Sequence, residues 1–337
     1  MNRPVRILSI DGGGIRGLIP AMVLADIERR TGRPIVELFD LIAGTSTGGL
    51  VALALAMAGA DGKPRGSAYD LVRLYEAEGP NVFSRTVWHK IRAVGNLVEG
   101  KYPTVGMEGM LERYFGQMLL SEALADVMVG AYEIERRRPY FFKTWYARER
   151  EDRNFYVKDV LRAATAAPTY FEPARVTALD KRDYYALIDG AVYLYNPGMS
   201  AFAEARMLYP DATEFVVVSI GTGEMTRRLE YDDVKDWGAA RWAQPVFHIV
   251  CDAQQDAVDY QLRQLLPPGP KGRRRYYRFQ TRLDIGNDDM DDASLTNIRT
   301  LKHLAEDLIL RNRTVLRTLC EHLEEWSLAQ PREAKVD

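Results

Sequence analysis

The apolar run Val5 to Ile10 reads as a short buried strand, and the segment Leu18 to Arg30 behind it has helical spacing. A second apolar run, Leu38 to Ala43, leads into a third, Gly49 to Met57, and the pair reads as a buried strand followed by a buried helix. Further along, strand-like runs at 126–134, 139–144, 184–188 and 214–220 alternate with helical stretches near 106–116, 157–166 and 198–208. That alternation predicts an α/β protein, a three-layer α/β/α sandwich with a mainly parallel central sheet. Helix-like stretches at 240–265 and 293–326 follow, separated by Pro267-Pro268-Gly269-Pro270 and a basic run, Lys271-Gly272-Arg273-Arg274-Arg275. The expected organisation is therefore a core over 1–225 and a helical C-terminal extension over 226–337, packed on the core and a candidate for regulation. Residues 81–104 mix Val82, Phe83, Val87, Trp88, Ile91, Val94, Leu97 and Val98 with Arg85, Lys90, Arg92 and Lys101. They read either as a basic amphipathic lid that docks on lipid or as an insertion packed on the core.

Three strand ends carry candidate chemistry. Gly44-Thr45-Ser46-Thr47-Gly48 lies between the second strand and its helix, where a nucleophile elbow exposes a serine on a sharp turn. Ser46 is the candidate nucleophile, with Gly44 and Gly48 leaving room for the turn. Asp11-Gly12-Gly13-Gly14-Ile15-Arg16-Gly17 joins the first strand to its helix, and its amides, with the positive helix end behind them, could converge on one oxyanion. Gly12, Gly13 and Gly14 are the candidate oxyanion hole. The same turn could cradle a phosphate, although the Gly-Lys-Ser/Thr ending of a P-loop is missing. A non-catalytic nucleotide-binding or scaffold protein built on Gly12 to Gly17 is thus the rival reading. Ile188-Asp189-Gly190-Ala191 follows Tyr184 to Leu187 and makes Asp189 a candidate general base, or a plain turn former.

In this order, D-G-G-G-x-R-G, G-x-S-x-G and D-G-A resemble the patatin-like phospholipase family. The similarity extends to Ala166-Ala167-Pro168-Thr169-Tyr170-Phe171, to Asn196-Pro197 and to Ser219-Ile220-Gly221-Thr222-Gly223, so it covers about residues 5 to 225. Many members carry two asparagines before that proline; here Tyr195 precedes Asn196. The resemblance implies a lipid acyl hydrolase that cleaves carboxylic esters of membrane phospholipids through a Ser46–Asp189 dyad and an acyl-enzyme, without cofactor or metal. Arg16 and Gly17 would support the oxyanion loop. His248 follows Ser46 and Asp189 in the chain order of an α/β-hydrolase triad and stands as the alternative base. Bacterial patatin-like enzymes of this size include stand-alone lipases and phospholipase effectors of anti-phage systems switched on by cyclic oligonucleotides. An effector would use Arg136, Arg137 and Arg138, or Lys271, Arg273, Arg274 and Arg275, as phosphate contacts.

Composition narrows the classes further. The 337 residues are 47% hydrophobic and 27% charged, enough for a substantial core, and 45 basic against 47 acidic side chains leave a net charge of -2. No basic excess points to a nucleic-acid polymer. Cys251 and Cys320 lack metal-ligand spacing and read as buried free thiols of a reducing compartment. The N-terminal apolar run is too short for a signal peptide and Gly48 to Ala60 is too short to span a bilayer. The expectation is a cytoplasmic enzyme in peripheral contact with its phospholipid surface, open to a cyclic-nucleotide activator and to assembly as a homo-oligomer. The acidic stretch Asp288-Asp289-Met290-Asp291-Asp292 lacks an EF-hand pattern and reads as a solvated loop.

Overall fold

The computed structural model describes residues 3–83 and 104–328, so nearly all of the expected insertion at 81–104 lies outside the described residues. Strands β1 Val5–Ile10, β2 Leu41–Thr45, β3 Asp126–Glu133, β4 Arg138–Lys143, β5 Ala174–Thr177, β6 Tyr184–Asp189, β7 Phe215–Ile220 and β8 Tyr276–Phe279 form one sheet. The helices are α1 Leu18–Thr31, α2 Ile35–Leu38, α3 Thr47–Ala56, α4 Ala68–Val82, α5 Val105–Phe115, α6 Thr144–Glu149, α7 Val157–Ala164, α8 Gly198–Leu208, α9 Tyr231–Val234, α10 Ala239–Leu265, α11 Leu295–Arg311 and α12 Arg313–Leu328.

β1 runs parallel to β2 and β7, β2 to β3, and β7 to β8. Along β1, Leu8 and Ile10 enter one apolar cluster while Val5 and Ile7 enter another, and β7 repeats the division with Val216 and Val218 against Phe215 and Val217. Successive side chains of a strand point to opposite faces, so both faces of the sheet are covered. α1, α3, α4, α11 and α12 supply the first cluster; α8 and Leu262 of α10 supply the second. Burial on both faces is why these strands read as unbroken apolar runs instead of alternating ones. The architecture is a mixed α/β sandwich with a mostly parallel central sheet.

β8 corrects one detail of the expected organisation. The segment beyond residue 225, expected as helical, adds a parallel strand to the sheet through the register Val217↔Tyr276 to Ile220↔Phe279. Leu301, Leu304, Leu308, Leu316 and Leu319 continue the same apolar cluster as α1. The four-residue length of β8, directly behind a basic run, conceals it from a periodicity argument.

The register on β3 positions the site. β2 pairs with Asp126 to Gly130, β6 pairs antiparallel with Ala131 to Glu133, and β4 pairs antiparallel with Met128 to Glu133. β4 overlaps both of the others, so it takes one edge of β3 while β2 and β6 share the opposite edge. They meet there head to head, Thr45 opposite Gly130 and Asp189 opposite Ala131. The carboxyl ends of two strands 144 residues apart, at Thr45 and Asp189, thus become neighbours along one edge.

Candidate active site

Ser46 follows Thr45 at this junction and caps α3 with φ 55° and ψ -124°. For a residue with a Cβ that region costs about 1–3 kcal/mol and persists only where the surroundings over-determine it. Here the surroundings are backbone against backbone: a Cβ on Gly48 would lie 2.2 Å from the Ile10 carbonyl oxygen, and one on Gly44 would lie 2.1 Å from that of Gly48. The first turn of α3 is pressed against the end of β1, and the serine is turned outward from that contact.

The Asp189 carboxyl accepts the Ala191 N–H at 2.9 Å and has the Ser46 side chain beside it. Asp189 is 1% exposed. Burial is the dominant influence on it, pushing its pKa up to about 7 against the lowering effect of the Ser46 hydroxyl and the Ala191 amide. Such a carboxyl gains or loses its proton near neutrality, as a general base requires.

Both residues open into a largely apolar cavity that is walled by Leu74, Val82, Met107, Met110, Phe171 and Phe247. Gly13 and Gly14 line the same space, and among the described residues lining it there is no lysine or arginine. The turn amides are already partly committed. Gly12 N–H donates to the Tyr195 carbonyl at 3.0 Å and Ile15 N–H to the Met290 carbonyl at 2.9 Å. Gly13 and Gly14 N–H have no acceptor among the described residues. Of the three glycines expected as oxyanion donors, Gly12 is therefore occupied, because its amide closes the turn onto the segment behind Asp189.

Arg16 is buried and donates to the Gly13 carbonyl, the Tyr195 hydroxyl and the Asp288 carbonyl. A Cβ on Gly17 would lie 2.3 Å from the hydroxyls of both Thr47 and Tyr75, so the loop and α3 close tightly at that point. His248, on α10, meets the Tyr170 hydroxyl at 3.4 Å through Nε2; burial lowers its pKa. The chain order Ser, Asp, His is thus not accompanied by an Asp189–His248 hydrogen bond among the described residues.

The basic runs lie elsewhere. Arg136 pairs with Asp183 at 2.6 Å and with Glu133 at 3.8 Å, in the turn between β3 and β4, where Arg137 adopts φ 52°. Arg273 and Arg274 stack over Trp326 and Tyr277, and Arg275 donates to the Pro267 carbonyl. Arg138 begins β4, and Lys271 falls in a short turn after Pro270. The acidic stretch is not solvated as expected: Asp288, Met290 and Asp291 are buried, because the segment closes over the glycine turn.

Arg278, Tyr195 and Thr222 are contributors to which the motif reading gives no role. Asp11 is fully buried against Arg278, whose Nη2 lies 2.7 Å from Oδ2. Tyr195 and Thr222 sit behind the glycine turn. Thr222 and Tyr195 do lie in segments with family-like sequence, which is the one signal that could have marked them; Arg278 carries none.

Comparison with known proteins agrees with the fold. A family model described as patatin-like phospholipase matches residues 8–202. Patatin-like protein 4 of Arabidopsis thaliana is 30% identical, over 91% of this chain and 84% of its own. Patatin-like protein 1 of Oryza sativa subsp. indica is 32% identical, over 76% of this chain and 69% of its own. Human GIVD cytosolic phospholipase A2 superposes with a TM-score of 0.50 at 9% identity, covering 96% of this chain. This chain spans 60% of that longer protein, and the likeness is one of fold.

Proposed function

The chain belongs to the patatin-like phospholipase family and is a lipid hydrolase, and from that premise we propose that it cleaves carboxylic esters of phospholipids through a Ser46–Asp189 dyad. The observation that carries the reading is the head-to-head meeting of β2 and β6, which sets the Ser46 hydroxyl against a buried carboxyl at the wall of an apolar cavity.

Ionised Asp189 takes the Ser46 proton as Oγ attacks the ester carbonyl. Negative charge then develops on the carbonyl oxygen, and the Gly13 and Gly14 amides, without an acceptor among the described residues, receive it; one such donor is typically worth about 3–4 kcal/mol. Collapse expels the alcohol, which takes the proton from Asp189, and leaves acyl-Ser46. Water, deprotonated by Asp189, attacks the acyl-enzyme through a second oxyanion and releases the fatty acid. The apolar walls suit an acyl chain. The absence of lysine and arginine among the described lining residues argues against the rival reading, in which the glycine turn holds phosphate. No helix among the described residues is long and apolar enough to cross a membrane, and the proposal places lipid contact at the cavity mouth, peripherally.

The test is fatty-acid release from mixed phospholipid vesicles, with fluorophosphonate labelling in parallel. Ser46→Ala is expected to abolish both. Release that survives Ser46→Ala would remove the dyad, and absence of both release and labelling in the unaltered protein would favour the binding module.

A further inference from the structure

Arg16, Tyr195 and Thr222 are buried behind the glycine turn and form an ordered chain of donors and acceptors. A guanidinium only donates, so the Tyr195 hydroxyl that accepts from Arg16 Nη2 at 2.8 Å directs its own proton to Thr222 Oγ1, 3.2 Å away. The Thr222 hydroxyl in turn donates to the Gly12 carbonyl. Arg16 Nε reaches the Gly13 carbonyl at 3.3 Å, and the Arg16 amide donates to the same oxygen at 3.2 Å.

Each carbonyl shares a planar peptide unit with the N–H of the next residue. Fixing the Gly12 carbonyl therefore aims the Gly13 N–H, and fixing the Gly13 carbonyl aims the Gly14 N–H. Those are the two amides without an acceptor among the described residues. Consecutive glycines at φ 156° and 59° would not hold such a direction unaided, since glycine has the widest backbone freedom of any residue. A direction set before charge develops is what makes an oxyanion site effective.

We infer that the Tyr195 hydroxyl is a positioning group for the oxyanion amides: by linking Arg16 to Thr222 it locks the Gly12–Gly13 and Gly13–Gly14 peptide planes towards the reacting carbonyl. The inference rests on Ser46 being the nucleophile. It gives Tyr195, marked in the sequence only as a departure before Asn196 and lining the cavity, a part in the reaction that its hydroxyl plays through the turn and not at the reacting atoms. Burial raises the Tyr195 phenol well above its ordinary pKa, so its proton stays in place at every working pH.

Tyr195→Phe keeps the ring against Gly12 and removes the hydroxyl. With a chromogenic short-chain ester as probe, kcat is expected to fall about 10- to 100-fold, as for a small misplacement of reacting groups, with KM within about twofold. Fluorophosphonate labelling slows in parallel, because its phosphoryl oxygen would occupy the same amides. Thr222→Val acts in the same direction, Thr222→Ser restores the rate relative to Thr222→Val, and the double variant Tyr195→Phe/Thr222→Val falls no further than the worse single one, since both break one chain. An unchanged kcat in Tyr195→Phe, with or without a lower melting temperature, overturns the inference, as do additive losses in the double variant. Ser46→Ala run alongside separates the failures: activity surviving there removes the dyad, whereas an inactive Ser46→Ala beside a fully active Tyr195→Phe removes the positioning role alone.

Discussion

Asp11 follows β1 and Asp189 ends β6, one on each flank of the site, and both carboxyls are buried. Burial raises both, Asp11 to about 6 and Asp189 to about 7. Their partners differ. Asp11 faces the Arg278 guanidinium, itself tied to Ser219 at 2.8 Å, so its charge is matched. Asp189 has a hydroxyl and one amide, and the described residues lining the cavity beside it bring no cation. A matched carboxylate is held as a charge and tethers two strands. An unmatched one passes its proton to and fro near neutral pH, which suits a base.

The sharpest way to break this comparison is Asp189→Asn, which preserves shape and removes the proposed base. Fatty-acid release should fall about 10⁴-fold, the scale seen when a triad member is removed. The same substitution should raise the melting temperature at pH 8 and leave it unchanged at pH 4. The sign follows from the raised folded pKa: the native state binds the extra proton between the ordinary carboxyl pKa and about 7, so the unaltered protein loses stability as pH rises across that window. Equal melting temperatures at pH 8 would mean that Asp189 is not destabilised by ionisation.

Next in size is Arg278→Met, which strands a buried carboxylate at Asp11. Removing one partner of such a pair costs about 3–5 kcal/mol, and Asp11→Asn/Arg278→Met together should recover most of it. Chemical denaturation at neutral pH reads both. A single variant as stable as the unaltered protein would show that Asp11 takes up a proton instead of a partner.

The smallest effect is the pH profile. The rate constant kcat/KM should rise about tenfold per pH unit below the Asp189 midpoint of about 7 and level off above it. A plateau reaching down to pH 5 would place the base in the ordinary carboxylate range and dissolve the contrast with Asp11.

The features legible in the sequence are local ones. Each glycine turn is one contiguous strand–turn–helix, so Gly13, Gly14 and Ser46 could be placed from neighbours within a few residues. Apolar runs at 5–10, 38–43 and 214–220 identified the central strands β1, β2 and β7 because helices cover both faces of the sheet, although β2 itself is Leu41–Thr45 and Leu38 ends a short helix before it. Long-range pairing was not legible. Arg278 lies 267 residues from Asp11, in a four-residue strand behind a basic run that draws attention for its charge. The acidic stretch looked solvated because charge usually is; burial of Asp288 and Asp291 depends on the loop closing over Arg16, which no periodicity encodes.

By itself the sequence determined the layers, the elbow serine and the glycine turn, because each follows from side-chain period or from backbone room within a single junction. The tertiary structure decided that β6 runs antiparallel and stops opposite Ala131, where β2 stops opposite Gly130. It also decided which turn amides are claimed, Gly12 by the Tyr195 carbonyl and Ile15 by that of Met290. Both outcomes rest on hydrogen bonds between segments far apart in the chain, which form only once the sheet has set their register.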